Sequence, residues 1–558
     1  MPDKTARLDE AIARHVRAGD VLHPVVGHTR WTAATREVVR QWWDRDPGFT
    51  LAMLSLSSLG ALFFRGGLVR RVVTGYSGDT FPNFTPNPWF AGAYERGEVE
   101  VEHWSFLAFS QRLEAAARGL PGIVTRSIAG SSMERNDGFA RVDSPFGELG
   151  LLSPLVPDVT LLHGHIADRE GNIVIHPPLL EGLWGALAAR RGVIATVERI
   201  VDDIRPWSHL VRIPGHRVLA VVECPMGAHP GGLYAGELPV DGYGEDYEFW
   251  VEARAATRAG DEGYDTWIRN WVLEVDTQEA WLERLGSERV TALRAKAGAD
   301  SWRADVDAYP PDLDAPANAW ERAAVWGARH LAERVAATQA NAVLAGAGVA
   351  NLAAWLGVQL ARERGCDVKL TAEIGLWDYD ATLGDPFVLN HRNFPSATML
   401  ADAQFVLGAL VGGPGTTTIG CLGGAQVDRF GNINSTHIEP RPFLVGSGGG
   451  NDVASTAAEN VIVATLTPQR TVADCPFVTS PGIAVQALVT DVATFEKRDG
   501  VLEVSALAQG TTFEEVQALC GWDLAPPEGD LPVLSEPTAG EVAALRRWDP
   551  RGWFLRAR

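Results

Sequence analysis

The sequence predicts an α/β protein made of two homologous open-sheet domains, in which mostly parallel strands are flanked by helices. The first observation is a strand-loop-helix unit at residues 341–361, where an apolar strand is followed by a glycine turn and an amphipathic helix. A second unit of the same plan occupies residues 21–43. The third observation is a short internal repeat: DREGNI at 168–173 recurs as DRFGNI at 428–433, an offset of 260 residues (428 − 168). Two related halves in one chain account for this pattern.

Length and composition are those of a large globular protein. The chain has 558 residues, of which 46% are hydrophobic and 21% are charged. That length exceeds one ordinary core, and that balance does not favour disorder. The formal net charge of −21 disfavours a nucleic-acid partner, because a phosphate backbone would be repelled. An anionic ligand would therefore be held by local backbone amides, helix N-termini and a few arginines.

The expected location is the cytoplasm. Five cysteines are scattered without CxxC spacing, which is typical of reduced core thiols. Residues 1–16 lack the apolar core of an export signal and have the pattern of an amphipathic helix. Residues 403–427 are uncharged, but Pro414 and seven glycines would break a spanning helix. We therefore expect buried strands with a loop in that segment, and no membrane partner.

The order of segments along the chain predicts the domain boundaries. A first domain is expected at residues 1–298, followed by a polar, Pro-rich linker at 299–319. A second domain is expected at 320–521, followed by a Pro-broken tail with one short helix at 522–558. In the first domain, the Pro-rich segment 79–90 is predicted to be a loop long enough to border a site.

Glu373 is the candidate reactive group. It follows the apolar segment 368–372 and precedes the breaker Gly375, which predicts a carboxylate at the carboxyl end of a strand. Open α/β sheets hold their chemistry at this edge. Glycine turns lie on both sides of it in the sequence, at 346–348 and 446–450. Their backbone N–H groups would surround a carboxylate that attacks a substrate.

Other interpretations of these residues stay open on pattern alone. Glu373 could simply cap the turn that follows it. The loop 346–351 also fits an incomplete dinucleotide fingerprint, which would make the protein an oxidoreductase in which Glu373 holds a ribose hydroxyl. His163 and His165 have the spacing of a metal pair on one strand, but no third ligand completes them, so no metal is expected. Motifs of serine hydrolases and P-loop nucleotidases are not found.

Three blocks of the sequence resemble the class I coenzyme A transferases, most closely the glutaconate and 3-oxoacid CoA-transferase group. Glu373-Ile374-Gly375 matches the family's E-x-G nucleophile motif. The other two blocks are GGAQVDRFGNINST at 423–436 and GSGGGND at 446–452. The resemblance spans most of the chain and implies an α-like CoA-transferase domain fused to a β-like one that carries the acid.

The resemblance implies transfer of CoA from an acyl-CoA thioester to a free carboxylic acid. Glu373 would attack the thioester, become a glutamyl-CoA thioester through an anhydride, and pass the CoA to a second acid in a ping-pong path. The resemblance also implies that Gly348, Val349, Gly448 and Gly449 donate backbone N–H groups to the oxyanions.

The substrate contacts implied by the resemblance come from both halves. They are His28, Arg30 and Arg126 in the α-like part, and Gly375 and Asn451 in the β-like part. Either arginine could pair with an acyl carboxylate, although a surface or inter-half salt bridge fits equally well. Coenzyme A would enter as a substrate, no tightly bound cofactor is expected, and the assembly is expected to be a homodimer or homotetramer.

Two details bear on the reaction and on the acyl group. The resembled family includes ring-opening hydrolases of steroid-degradation CoA thioesters, which are not expected to use the E-x-G acid as a nucleophile, so Glu373 favours transfer. The protein could also bind acyl-CoA without catalysis, in which case it would need Glu373 but Glu373 would not attack the thioester. Among nineteen tryptophans, four fall in loops near predicted strand ends and hint at a bulky or aromatic acyl group: Trp31, Trp89, Trp104 and Trp377.

Overall fold

Each half of the chain contains one large open sheet. The structure is a computed structural model and describes residues 3–27, 31–298, 300–438 and 443–555. Within these residues, the first half has a nine-stranded sheet and the second half a ten-stranded sheet, both mostly parallel at their centres and flanked by helices. The predicted α/β fold class is confirmed.

The first half contains twelve of the strands described. They are β1 (Val21–Pro24), β2 (Phe49–Ala52), β3 (Val69–Thr74), β4 (Glu100–His103), β5 (Ile123–Thr125), β6 (Phe139–Ser144), β7 (Gly147–Leu152), β8 (Val159–Asp168), β9 (Ile173–Val174), β10 (Gly192–Val201), β11 (Val211–Ile213) and β12 (Val218–Glu223). Its helices are α1 (Leu8–His15), α2 (Ala33–Trp42), α3 (Ala61–Arg65), α4 (Pro88–Glu95), α5 (Phe106–Ala117) and α6 (Gly182–Ala188).

A helical stretch joins the two sheets. It consists of α7 (Tyr247–Ala256), α8 (Gly260–Ile268), α9 (Gln278–Leu285), α10 (Ser287–Ala295) and α11 (Trp302–Ala308). The predicted linker at 299–319 therefore carries a short helix, α11, which a Pro-rich polar composition did not suggest. The domain boundaries themselves stay predictions.

The second half begins with a long helix and alternates strands with helices. Its helices are α12 (Ala319–Thr338), α13 (Val349–Glu363), α14 (Gly450–Thr456), α15 (Phe513–Leu519) and α16 (Ala539–Trp548). Its strands are β13 (Ala342–Ala345), β14 (Lys369–Ala372), β15 (Leu376–Trp377), β16 (Met399–Leu400), β17 (Thr418–Leu422), β18 (Gln426–Asp428), β19 (Ile433–Asn434), β20 (Glu459–Val463), β21 (Thr471–Val472), β22 (Val485–Val489), β23 (Ala493–Arg498), β24 (Val501–Ala508) and β25 (Val533–Leu534).

The two large sheets have the same strand order at their centres. In the first, β2, β1, β8, β10 and β12 lie side by side and all pair in parallel. In the second, β14, β13, β17, β20 and β22 repeat that order and direction. The internal repeat predicted from the sequence is therefore visible in the topology, and β14 corresponds to β2.

The repeated D-R-x-G-N element forms the same turn in both halves. Asp168 accepts hydrogen bonds from the backbone N–H and the side-chain amide of Asn172 at 2.9 and 2.7 Å. Asp428 accepts from the same two groups of Asn432 at 2.9 and 3.0 Å. The glycine of each copy has a positive φ, 91° and 77°. The prediction of a structural turn is confirmed.

The uncharged segment 403–427 matches its prediction in part. The expected buried strands are β17 and β18, but a π-helical segment at Phe405–Val411 precedes them. Val406, Leu407 and Val411 are buried on one face of this segment, a spacing that a helical turn satisfies and an alternating strand does not. In the part of the chain that the structure describes, no helix has the length and apolar character needed to cross a bilayer.

The C-terminal tail packs against the second half. β25 pairs with β24, and α16, the short helix predicted in the tail, contacts α12 and α13. The Arg546 guanidinium donates to both carboxylate oxygens of Glu321 in α12, at 2.7 and 2.9 Å. Both side chains are buried, and Glu321 also closes a capping box with Asn318. One buried ion pair therefore fastens the tail to the first helix of the second half.

Replacing Arg546 by alanine is expected to lower the free energy of unfolding by about 3 kcal/mol, because it leaves the Glu321 carboxylate buried without its counter-ion. Chemical denaturation measures this change. The matched control is Arg547→Ala, since the neighbouring Arg547 is exposed. Equal stability of the two variants would show that the pair does not hold the tail.

Candidate active site

Glu373 directly follows β14 at the carboxyl edge of the second sheet. β13 and β14 pair in parallel along their whole length, so the glycine turn 346–348 lies at the same edge. Gly375 has a φ of 117°, and a Cβ placed there would lie 2.3 Å from the carbonyl oxygen of Ala401. The chain can therefore turn sharply after the acid only because this residue is glycine.

The second glycine turn presses against the Glu373 carboxyl group. The backbone N–H of Gly449 lies close enough to that carboxyl group to lower its pKa. A Cβ added to Gly449 would lie 1.8 Å from Oε2 of Glu373, far inside van der Waals contact. Nothing larger than a hydrogen atom fits between the backbone and the acid.

The environment of Glu373 disfavours its negative charge. Burial and, to a smaller extent, the charge of Asp452 raise the pKa of the carboxyl group to about 7, and the Gly449 N–H partly opposes the rise. The carboxyl group lies among protein atoms, whereas the residue as a whole keeps some exposed surface. Glu373 is therefore poorly hydrated and still reachable by a ligand.

Asp452 ties the second glycine turn to the first half of the chain. Its buried carboxylate accepts from the Leu107 N–H in the first turn of α5 at 2.9 Å and from the Ser127 hydroxyl at 2.5 Å. Burial raises the pKa of this carboxyl group to about 6, although these donors and Ser105 oppose the rise. The position of Gly449 relative to the first half depends on this contact.

Asn451 bridges the halves in the same way. Its Oδ1 accepts from the Ile128 N–H at 2.9 Å, and its Nδ2 donates to the Thr479 carbonyl at 2.8 Å. The side chain is fully buried, with both ends of its amide bonded to protein. These bonds hold α14 between the two halves, and the substrate contact predicted for Asn451 stays a prediction.

The other predicted oxyanion donors differ in their surroundings. Gly348 has a φ of 67° and precedes α13, which Val349 begins, so the Val349 N–H lies in a first helical turn without an intrahelical partner. The Gly448 N–H donates to the carbonyl of Gly75 in the first half at 3.0 Å. Gly448 therefore supports the turn, while Gly449 faces the acid.

Of the predicted cationic contacts, Arg126 alone lies within the described residues. Arg126 is exposed and donates to the carbonyl of Gly412 at 3.2 Å. His28 and Arg30 lie outside the described residues. Their predicted role in binding the acyl group therefore stays a prediction.

The two halves differ at the position of the acid. After β2, which corresponds to β14, come Met53 and Leu54, both buried. A carboxylate at this place in the fold is therefore a property of the second half alone.

Sequence reasoning missed a further buried acid, Glu181. Its carboxylate accepts from the N–H groups of Val26 and Gly27 at 2.6 and 3.5 Å, and burial raises its pKa to about 7. The available signal was a single acid in the otherwise apolar stretch 177–182. Glu181 therefore fixes the first part of the loop that follows β1.

The two histidines of β8 bind protein groups. The ring nitrogens of His163 contact Thr196 and Glu198 at 2.9 and 2.8 Å, and Nε2 of His165 contacts the Tyr234 carbonyl at 2.9 Å. Among the residues that the structure describes, no group of three or more His, Cys, Asp or Glu side chains is arranged to hold a metal ion.

A buried carboxyl group at a sheet edge, beside a glycine turn, is an arrangement that suits an enzyme of group transfer. The chain belongs to the coenzyme A transferase family. The model of the Coenzyme A transferase family matches residues 5–224. One of the two subunits of the 3-oxoadipate CoA-transferase of Pseudomonas knackmussii is 30% identical over 273 residues, which cover 48% of this chain and 92% of that subunit.

Relatives of the other half and of the whole chain complete the comparison. The second subunit of the same Pseudomonas knackmussii enzyme is 34% identical over 158 residues, covering 25% of this chain and 60% of that subunit. The chain thus fuses parts that are similar to both subunits of such a transferase. The acyl-CoA transferase (YdiF) apoenzyme of Escherichia coli O157:H7 has a TM-score of 0.65 at 17% identity over 96% of this chain and 95% of that chain, which shows the shared fold.

The chain is also similar to a protein named for a different activity. The cholesterol ring-cleaving hydrolase IpdA subunit of Mycobacterium tuberculosis is 28% identical over 278 residues, covering 47% of this chain and 91% of that subunit. The protein is thus an enzyme of the CoA-transferase family, a family whose transferases use CoA thioester substrates.

Gly449→Ala is expected to lower the rate of CoA transfer at least about 100-fold, because the new Cβ would displace the Glu373 carboxylate from its N–H donor. The initial rate of CoA exchange between an acyl-CoA and an acid measures this loss. Gly450→Ala is the matched control, since a Cβ there would meet only Ser480 Oγ, at 3.7 Å. A wild-type rate for Gly449→Ala would show that the contact between Gly449 and Glu373 does not contribute to CoA transfer.

Proposed function

We propose that the protein transfers coenzyme A from an acyl-CoA thioester to a free carboxylic acid through a covalent thioester on Glu373. The observation that carries this proposal is the close approach of the Gly449 backbone to the poorly hydrated carboxyl group of Glu373. Family membership supports CoA thioesters as the substrates.

In the proposed reaction the Glu373 carboxyl group is bonded first to the acyl group and then to CoA. The Glu373 carboxylate attacks the thioester carbonyl, the carbon–sulfur bond breaks, and CoA thiolate leaves behind an acyl-glutamyl anhydride. The thiolate then attacks the glutamyl carbonyl carbon, which releases the donor's carboxylate and forms glutamyl-CoA. A second carboxylate repeats these steps in reverse and departs as the new acyl-CoA. The thioester energy is kept throughout, so no ATP is needed.

Two sets of backbone N–H groups suit the two kinds of oxyanion in this path. Gly449 lies against Oε2 of Glu373, so its N–H would stabilise the oxyanion that forms on the glutamyl carbon. The Gly348–Val349 turn at the same sheet edge would serve the oxyanion on the acyl carbon. Loss of one such donor typically costs about 3 to 4 kcal/mol in the transition state.

The raised pKa of Glu373 suits its role as a nucleophile. A carboxylate with a pKa of about 7 is more basic than an ordinary glutamate and therefore more nucleophilic. Limited hydration favours attack by a bound acid over attack by water. Hydrolysis of the thioester would instead release free CoA without an acceptor, whereas ring cleavage of the kind named for the hydrolase relative would leave the thioester intact.

Incubation with an acyl-CoA is expected to add the mass of CoA to the peptide that contains Glu373. Mass spectrometry after mild proteolysis measures this adduct, and addition of a carboxylic acid should discharge it as a new acyl-CoA. Glu373→Gln, which keeps the side chain's size, should show no adduct. An adduct that persists in that variant, or free CoA released without an acceptor, would exclude the proposed path.

The pH profile of kcat/KM for the acyl-CoA is expected to rise with pH through a midpoint of about 7, because only the ionised Glu373 attacks. Asp452→Asn removes a negative charge that raises this pKa, so the midpoint should move to lower pH. Rates measured from about pH 5 to 9 determine both midpoints. Asp474→Asn, at an exposed acid, is the control, and an unmoved or higher midpoint for Asp452→Asn would contradict the coupling.

A further inference from the structure

We propose that the hairpin formed by β6 and β7 joins two copies of the chain, through antiparallel pairing of β6 with the β6 strand of a second copy. The hairpin covers residues 139–152. This inference goes beyond the proposed function, because it concerns assembly and needs no chemistry at Glu373. It gives the predicted homo-oligomer a specific contact surface.

β6 lies at the edge of a small antiparallel sheet. The strand order of this sheet is β5, β7, β6, and within the residues that the structure describes β6 pairs with β7 alone. Residues 140–143 are all exposed, so both faces of the strand are in contact with water. An exposed edge strand presents backbone N–H and C=O groups to which another strand can bond.

The hairpin turn determines which backbone groups of β6 point away from β7. Ser144 and Gly147 face each other across a two-residue turn, and such a closing pair is hydrogen-bonded. Bonding alternates along the strand from that pair, so the backbone of Val142 bonds to β7. Arg141 and Asp143 therefore direct their N–H and C=O groups to the open edge, where they would bond to a second strand.

The charges on β6 favour the strand's own copy as the partner. When Val142 faces Val142 of the second copy, Arg141 lies opposite Asp143 of that copy on both sides of the two-fold axis. Opposite charges that face each other stabilise a strand pair. Registers centred on Arg141 or on Asp143 would instead place two like charges opposite each other, which destabilises the pair. The charges therefore select the register centred on Val142.

This strand also suits the approach of two acidic chains. The formal net charge of each chain is −21, whereas β6 carries one charge of each sign. Arg141 contacts Glu134 at 2.6 Å and also contacts Glu148, and its guanidinium is still partly exposed. Since each copy offers a cation where the other offers a carboxylate, two copies can meet here without like charges facing each other across the strand pair.

Apolar side chains lie on and beside the open edge. Val142 is exposed at the centre of β6, and Phe146 is 92% exposed in the turn. In the register centred on Val142, the turn of each hairpin lies beside Gly138 and Phe139 of the second copy. Pairing would therefore partly cover a phenylalanine that a single chain leaves in water.

Cysteine cross-linking tests both the contact and its register. Facing residues of a non-hydrogen-bonded antiparallel pair have Cα atoms about 4.5 Å apart, a distance that a disulfide spans. Val142→Cys is therefore expected to give a disulfide-linked dimer on mild oxidation, detected by non-reducing electrophoresis and intact mass. Ala140→Cys and Ser144→Cys should cross-link only when the two variants are mixed, because each faces the other position in the second copy.

Val124→Cys is the matched control, because Val124 is 52% exposed on β5, at the other edge of the same sheet. Absence of a Val142→Cys dimer would overturn the inference. Equal cross-linking of Val124→Cys would overturn it as well, since it would indicate random collision.

Charge reversal tests the same contact without a cross-link. Asp143→Arg places two arginines opposite each other on both sides of the axis, so the protein concentration at which the assembly halves its mass should rise at least about tenfold. Sedimentation velocity measures this concentration. Asp202→Arg, at a side chain that is 98% exposed just after β10, is the control and should leave it unchanged. An unchanged value for Asp143→Arg would refute the proposed pairing. Neither measurement uses acyl-CoA, so both decide the contact independently of the proposed reaction.

Discussion

The site depends on a contact between a carboxyl group and a stretch of backbone that has no side chain. Glu373 lies against the second glycine turn only because Gly449 lacks a Cβ. That turn keeps its place because Asp452, in the helix α14 that follows it, binds the start of α5 in the first half. The acid thus follows a strand, Gly449 is the N-cap of a helix, and a second buried carboxylate sets their spacing.

The two halves share a plan and divide the work. Both have the same central strand order and the same D-R-x-G-N turn, yet only the second places an acid after the strand next to the sheet centre. The first half has Met53 and Leu54 there and contributes supports instead: the carbonyl of Gly75 and the amides at the start of α5. The first half, which lacks the acid, therefore fixes the position of the second glycine turn in the half that carries it.

Features with local causes could be predicted from the sequence. The strand-turn-helix units, the turn made by Asp428 and its neighbours, and the placement of Glu373 at a strand end all follow from adjacent residues. The role of Asn451 could not be predicted, because its partner Ile128 is 323 positions away. The π-helical segment Phe405–Val411 was missed because a short apolar run carries little periodicity, which leaves strand and helix equally compatible with it.

Carrying both parts on one chain changes what the contact between them must do. Separate subunits would need enough apolar contact to stay together when dilute, and buried polar bridges such as those of Asn451 and Asp452 contribute little to that. A covalent connection keeps each half near the other at an effective concentration on the order of millimolar. The contact between the halves beside Glu373 can therefore consist of polar groups in fixed positions, because it does not have to hold the two halves together.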